Sequence, residues 1–294
     1  MKKKKKTGGI ILDLILILIS LTYILPIIMM ISISFSSEQS IIDYGYSLFP
    51  KQFSTEAYRL AFRNPQQLIQ SYKVTIGYTV LGTAACMVVQ SLMAYPLSRR
   101  SFRYKKPMLV FLLITMFFNG GLVPTYILIT QYLKLGNSFW VYIFPSVMNA
   151  WNVILFKTYF AGLPESLIEA AKIDGANEYR IYFRLIVPLS LPIFATLAFT
   201  TALVKWNDWN TSMLYVRDNS LYALQYLLQR IINETDYIKK LQGSLESGLI
   251  SQETMPSESL RYVMAVLAAG PMMVVFPFFQ KYFAKGLVVG SVKG

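Results

Sequence analysis

The side chains that most often carry out chemistry are missing from this chain. It has no histidine, which removes the commonest general base and the commonest metal ligand. Its one cysteine, Cys86, lies in an apolar run, reads as a small buried hydrophobe and permits no internal disulfide. No CxxC, HExxH, GxSxG or Walker A pattern occurs. Two other sets of residues remain. The first is a group of amides and aromatic rings within or at the ends of apolar runs: Asn119, Tyr126, Asn149, Trp151, Asn152, Trp206, Asn207 and Trp209. Neutral amides bind hydroxyl groups without burying a charge, and ring faces stack on the C–H faces of pyranoses. These residues therefore suit reversible binding of a sugar. A phosphate path would favour Arg, Lys or helix N-termini, and a metal path carboxylates or His. Trp206 and Trp209 fit an interfacial aromatic belt equally well. The second set is a charged stretch between two apolar runs, Glu169–Pro188, reading EAAKIDGANEYRIYFRLIVP.

The elements that must hold these residues are membrane spans. The chain has 294 residues, of which 54% are hydrophobic, and a mean hydropathy of +0.45. Soluble domains rarely reach such values without long apolar runs. Six runs are long enough for a hydrocarbon core, which needs about 20 residues: 10–35, 74–97, 107–133, 138–160, 185–206 and 260–283. The fold expected is an all-α polytopic membrane protein, one transmembrane domain over 1–294. Lys2–Lys6 before the first run resembles a signal peptide, but the run is too long for one and lacks a cleavage site. The third run is interrupted by Asn119-Gly120-Gly121 and Pro124. Unwound backbone at membrane depth survives only against protein or a water-filled cavity, so this segment is a candidate for the solute path; a simple kink is the plain alternative.

Charge sets the orientation. Lys2–Lys6, Arg99–Lys106, the loop with Lys172, Arg180 and Arg184, and the tail with Lys281, Lys285 and Lys293 are basic and fall on one side. The opposite loops hold most of the acids, among them Glu38, Asp43, Asp208, Asp218 and Glu258. The positive-inside rule then places both termini in the cytoplasm. The net charge of +13 is read as basic loops facing an anionic leaflet, with no nucleic-acid partner. Lys205 and Asp208 are expected to pair at the membrane surface. The central parts of the second to sixth spans carry no Asp, Glu, Lys, Arg or His, so nothing there binds a coupling ion. Energy for uphill transport would have to come from elsewhere.

The charged stretch supplies a candidate. It reads as two short helices reversed at Gly175, where the absent Cβ permits a sharp turn. Pro164 opens the first helix and Glu165 sits in its first turn, where the dipole favours an acid. Glu169-Ala170-Ala171, then Gly175, then Leu185-Ile186-Val187-Pro188 resembles the EAA loop of ABC importer permeases. The spacing agrees throughout; Leu185 and Val187 are mild departures from the family's Ile and Leu. The string Asn119–Tyr126 resembles the branch that handles complex oligosaccharides, and Lys205-Trp206-Asn207-Asp208 resembles the Trp-Asn segment of carbohydrate importers.

The resemblance implies a type I ABC importer permease fold, with the loop 164–184 as the coupling element that docks on an ATPase. Glu169, Ala170, Ala171, Asp174 and Gly175 would form that contact. It also implies a second, homologous permease, two ATPase subunits at the cytoplasmic face and an extracytoplasmic solute-binding protein facing the outer loop 207–258. The substrate implied is an oligosaccharide. ATP and Mg would be bound by the ATPases, with no cofactor in this chain, which would not itself be an enzyme. Two alternatives stay open: a permease for a non-sugar solute, such as a polyamine or phosphate, and a membrane scaffold.

Overall fold

A computed structural model describes residues 7–244 and 258–289. The cluster Lys2–Lys6, residues 245–257 of the outer loop and Lys293 lie outside the described residues. Among the described residues every element is a helix, and the only bridge between extended segments joins Ser36 to Phe53.

The helices in chain order are α1 (Thr7–Ser34), α2 (Glu38–Tyr44), α3 (Glu56–Ala61), α4 (Pro65–Ser98), α5 (Lys105–Phe117), α6 (Leu122–Ile127) and α7 (Ala150–Ala161). They continue as α8 (Glu165–Ile173), α9 (Glu178–Ile181), α10 (Val187–Leu189), α11 (Leu191–Trp206), α12 (Asn210–Tyr215), α13 (Leu224–Ser244) and α14 (Glu258–Val289). A π turn extends α6 over Leu128–Tyr132, and another joins α9 to α10 over Tyr182–Ile186. Tight 3₁₀ turns, Phe139–Tyr142 and Phe144–Ser146, precede α7.

Three helices are long and apolar enough to cross a bilayer alone: α1 over Leu12–Ser34, α4, and α14 over Glu258–Phe278. Three bent pairs supply the rest. Lys105–Phe117 with Leu122–Tyr132 bends by 111°, Phe139–Ser146 with Ala150–Ala161 by 51°, and Glu178–Leu189 with Leu191–Trp206 by 78°. Counting each pair once gives six spans. The third is no simple kink, since the chain turns back on itself at Asn119–Gly121. The fifth begins inside the charged stretch, with its bend at Ser190.

The chain packs as two units. The first is drawn from the described parts of Met1–Gln66 and Leu228–Pro271. In it α1 is apolar on every side and most of its side chains stay exposed, as a lipid-facing helix requires. Its end is tied down by Phe35, which stacks on Phe53 at 5.5 Å and on Tyr58 at 4.8 Å. The buried Glu38 carboxylate receives Glu258 N–H at 3.0 Å, Ser259 N–H at 3.1 Å and the Ser259 hydroxyl at 3.0 Å. An acid at a helix N-terminus satisfies orphan donors and complements the dipole, so the first outer loop caps the last span.

The second unit is drawn from the described parts of Gln67–Leu227 and Met272–Gly294. Its axis is α4, which starts at Pro65, well before the apolar run. The early turns are polar because Gln67 and Gln70 donate to the carbonyls of Asn219 and Ser220, at 2.6 and 3.0 Å. Two apolar cores form along α4. One holds Val74, Tyr78, Ile129, Tyr142 and Val216. The other holds Cys86, Ala94, Leu97, Val153, Phe156, Phe160 and Ile186. Where they meet, α4 carries a polar belt of Thr79, Thr83 and Gln90, beside Gly82 and the core residue Cys86.

Candidate functional site

The charged stretch folds as the two-helix hairpin expected. Helix α8 closes in a Schellman motif, with Ala176 N–H bonding Ala171 C=O at 2.9 Å and Gly175 N–H bonding Lys172 C=O at 3.0 Å. Gly175 has φ +75°, and its Cβ position is empty. Asn177 caps α9 by accepting from Arg180 N–H at 2.9 Å. Ile168, 4% exposed, pins α8 to the core around Phe156, and Ala171 packs against the same core. The opposite side is free: Glu169, Ala170, Asp174 and Gly175 are exposed, and Ile173 is 86% exposed. Of the two alanines, only Ala170 offers its small side chain outward.

The hairpin is fastened to the end of α4. Glu178 pairs with Lys172 across the turn at 2.8 Å and accepts from the Tyr95 hydroxyl at 2.5 Å. The Ser91 and Tyr182 hydroxyls bond at 2.6 Å. The Arg99 guanidinium stacks over the Tyr95 ring at 4.9 Å, and its Nε and Nη2 have no hydrogen-bond partner. Burial pulls its pKa below the usual arginine value.

The residues expected to line a path are spread over the breaks and not gathered in one pocket. The Asn119 side-chain oxygen accepts from Gly121 N–H at 2.8 Å, closing the turn between α5 and α6. Asn149 caps α7 by accepting from Asn152 N–H at 3.1 Å. Both amides thus hold broken backbone in place. Asn152 donates to Thr201 at 3.4 Å, and Tyr126 stacks on Tyr215 at 5.7 Å. Asn207 donates to Leu203 C=O and accepts from Gln225. Trp151 is 58% exposed and Trp209 is exposed, whereas Trp206 is only 4% exposed.

The break before α7 is held by the polar belt of α4. Gln90 donates to Val147 C=O at 2.7 Å, and the Cys86 thiol to Ser146 C=O at 3.3 Å. The unwound carbonyls are satisfied by protein, as the bilayer demands. Lys205 reaches the same place. It does not pair with Asp208, whose carboxylate caps Thr211 N–H. Its ammonium lies along Gly82 and donates to Ser146 Oγ at 2.6 Å, while its own carbonyl accepts from the Tyr78 hydroxyl at 2.6 Å. Composition offered one signal of this lysine: a cation at the outer end of a span, against the positive-inside trend.

Spans broken beside a polar belt, with a charged hairpin at one end, define the membrane subunit of a transporter. A family model described as binding-protein-dependent transport system inner membrane component matches residues 3–289, and the chain belongs to that family, the permease subunits of ABC importers. It is 38% identical to the polygalacturonan/rhamnogalacturonan transport system permease protein YtcP of Bacillus subtilis (strain 168), covering 95% of this chain and 96% of the relative. It is 35% identical to protein LplC of the same organism, over 92% of this chain and 90% of LplC. A solved bacterial ABC transporter involved in the import of the acidic polysaccharide alginate contains a chain of the same fold. The TM-score is 0.78 at 28% identity, covering 96% of this chain and 100% of the other.

Proposed function

We propose that this chain is the permease of an ATP-driven importer that carries an oligosaccharide delivered by an extracytoplasmic binding protein. A second, homologous permease completes the pathway, and two ATPase subunits, holding ATP and Mg, drive it from the cytoplasmic face. The membrane is the cell membrane, both termini are cytoplasmic, and the loop 207–258 faces the binding protein. The relatives named for polysaccharide transport support the sugar reading over a non-sugar solute or a scaffold. The exposed Trp151 supports it chemically, because an indole in reach of solute suits a pyranose face.

The observation that carries the coupling reading is the outward face of the hairpin. Glu169, Ala170, Asp174 and the bare side chain of Ile173 leave a helix face that nothing in its own unit covers. Ile173 stands among exposed acids and a small alanine, a face that a partner protein could cover. Glu169 and Asp174 carry the charge of that contact, and Gly175 sets its geometry. Reversing the charge with Glu169→Lys abolishes ATP-driven sugar uptake in reconstituted vesicles while membrane insertion and assembly with the second permease persist. Unchanged uptake by that variant would refute the coupling role.

A further inference from the structure

Lys205 is a buried cation with no carboxylate bonded to its ammonium among the described residues. It is 6% exposed, and among the described residues it forms no ion pair. An ammonium has three donors, and the one bond found is to the Ser146 hydroxyl. Ser146 points its own proton at the carbonyls of Tyr142 and Ile143, each 3.1 Å away, so its oxygen is free to accept from the lysine. A neutral hydroxyl compensates poorly for a charge taken from water. The acid that acts on it is Asp208, through space and without an ion pair, and that carboxylate is spent on capping Thr211 N–H. Along α4, Thr79 and Thr83 have buried hydroxyls without a partner, as does the side-chain oxygen of Gln90. The belt is thus an under-satisfied polar layer where two apolar cores meet.

The ammonium also lies next to a surface. Ser146 is exposed, as are Met148, Asn149 and Trp151 across the break. A solute passing this rim could place a ring on the Trp151 indole and meet the lysine one residue layer deeper.

We propose that Lys205 reads a carboxylate on the transported sugar, so that the substrate is an acidic oligosaccharide containing uronic acid units. This inference rests on the sugar reading above and deepens it. A single ammonium matches the single charge of a uronate, and the remaining N–H groups supply the bonds that Ser146 leaves unmade.

The test uses the complete complex in proteoliposomes: this chain, the second permease, the ATPases and the binding protein. The probes are a galacturonate trimer and its carboxyl-reduced, neutral counterpart. The readout is the ratio of acid to neutral uptake, in which the binding protein's own preference cancels between variants. A lost charge-assisted bond lowers that ratio about tenfold to a hundredfold in Lys205→Met, and Lys205→Arg recovers most of it. Ser146→Asp offers an independent route, since it places a carboxylate beside the ammonium and competes with the substrate; it lowers the ratio too. An unchanged ratio in Lys205→Met, or in Ser146→Asp should the first variant fail to assemble, overturns the assignment and leaves the lysine structural. A wild-type complex that moves the neutral trimer as fast as the acid one overturns it as well. Uptake of neither trimer, with uptake of a non-sugar solute, would instead refute the oligosaccharide reading itself.

Discussion

Gly82→Ala tests the geometry of the polar belt, because its effect changes sign with a second substitution. A methyl at Gly82 would stand 2.9 Å from both Cε and Nζ of Lys205 and 3.2 Å from its Cδ, closer than atoms allow. The obstructing group is the end of a flexible side chain, so the lysine moves and α4 does not. Moving it breaks the 2.6 Å bond to Ser146 Oγ. A hydrogen bond from a charged donor is worth about 1.5–3 kcal/mol. Replacing glycine by alanine within a helix returns about 0.5–1 kcal/mol. In the native background the variant is therefore destabilised by roughly 1–2 kcal/mol. In a Lys205→Ala background the space is empty, and the same substitution stabilises by up to about 1 kcal/mol. The assay is the apparent Tm of the four purified complexes in one detergent at one scan rate, since unfolding of such assemblies is not reversible. Non-additivity between the two substitutions measures their contact. Equal shifts from Gly82→Ala in both backgrounds would show that Lys205 does not lie on Gly82.

Two further outcomes follow from other elements. Gly175→Ala meets no steric contact but must adopt φ +75°, so it costs about 1–2 kcal/mol through the backbone alone, and Gly175→Asn costs less; thermal unfolding ranks the three. Glu38→Ala strips the cap from α14 and lowers stability by about 1–3 kcal/mol, whereas Glu38→Gln keeps an acceptor and loses less; hydrogen exchange at Glu258 and Ser259 reports the freed amides.

The hairpin was legible because its determinants are local. A glycine after a helix, an asparagine before the next and an alternation of apolar and charged residues act over a few positions, and backbone hydrogen bonds do the rest. The spans were legible for the same reason, since length and hydropathy are properties of one segment. Their breaks were only half legible. Asn119-Gly120-Gly121 announced the first, whereas at Ser190 the flanking Pro188 and Pro192 marked a weak point of the helix without giving the angle. The partner of Lys205 was not legible. Sequence proximity pointed to Asp208, yet the residue it meets is Ser146, 59 positions away, through a contact that only the packing of α11 against the turn before α7 creates. Asn119 and Asn149 show a related ambiguity. An amide in an apolar run suits a hydroxyl ligand and an unpaired backbone N–H equally, and here each takes the backbone.

One run of chain links the charged hairpin to the buried lysine. From Asn177 to Trp206 the chain is helical through α9, the π turn, α10 and α11, with one corner at Ser190 between Pro188 and Pro192, whose missing N–H groups interrupt the ladder there. At 1.5 Å per residue the corner divides this run into limbs of about 20 and about 24 Å. One limb ends beside the hairpin, where we propose the motor grips, and the other ends at Lys205. The two limbs meet at a bend of 78°. Both limbs are also tied to α4, one through Tyr95 and Ser91 and the other through Tyr78, so a push on the hairpin would be shared with that helix.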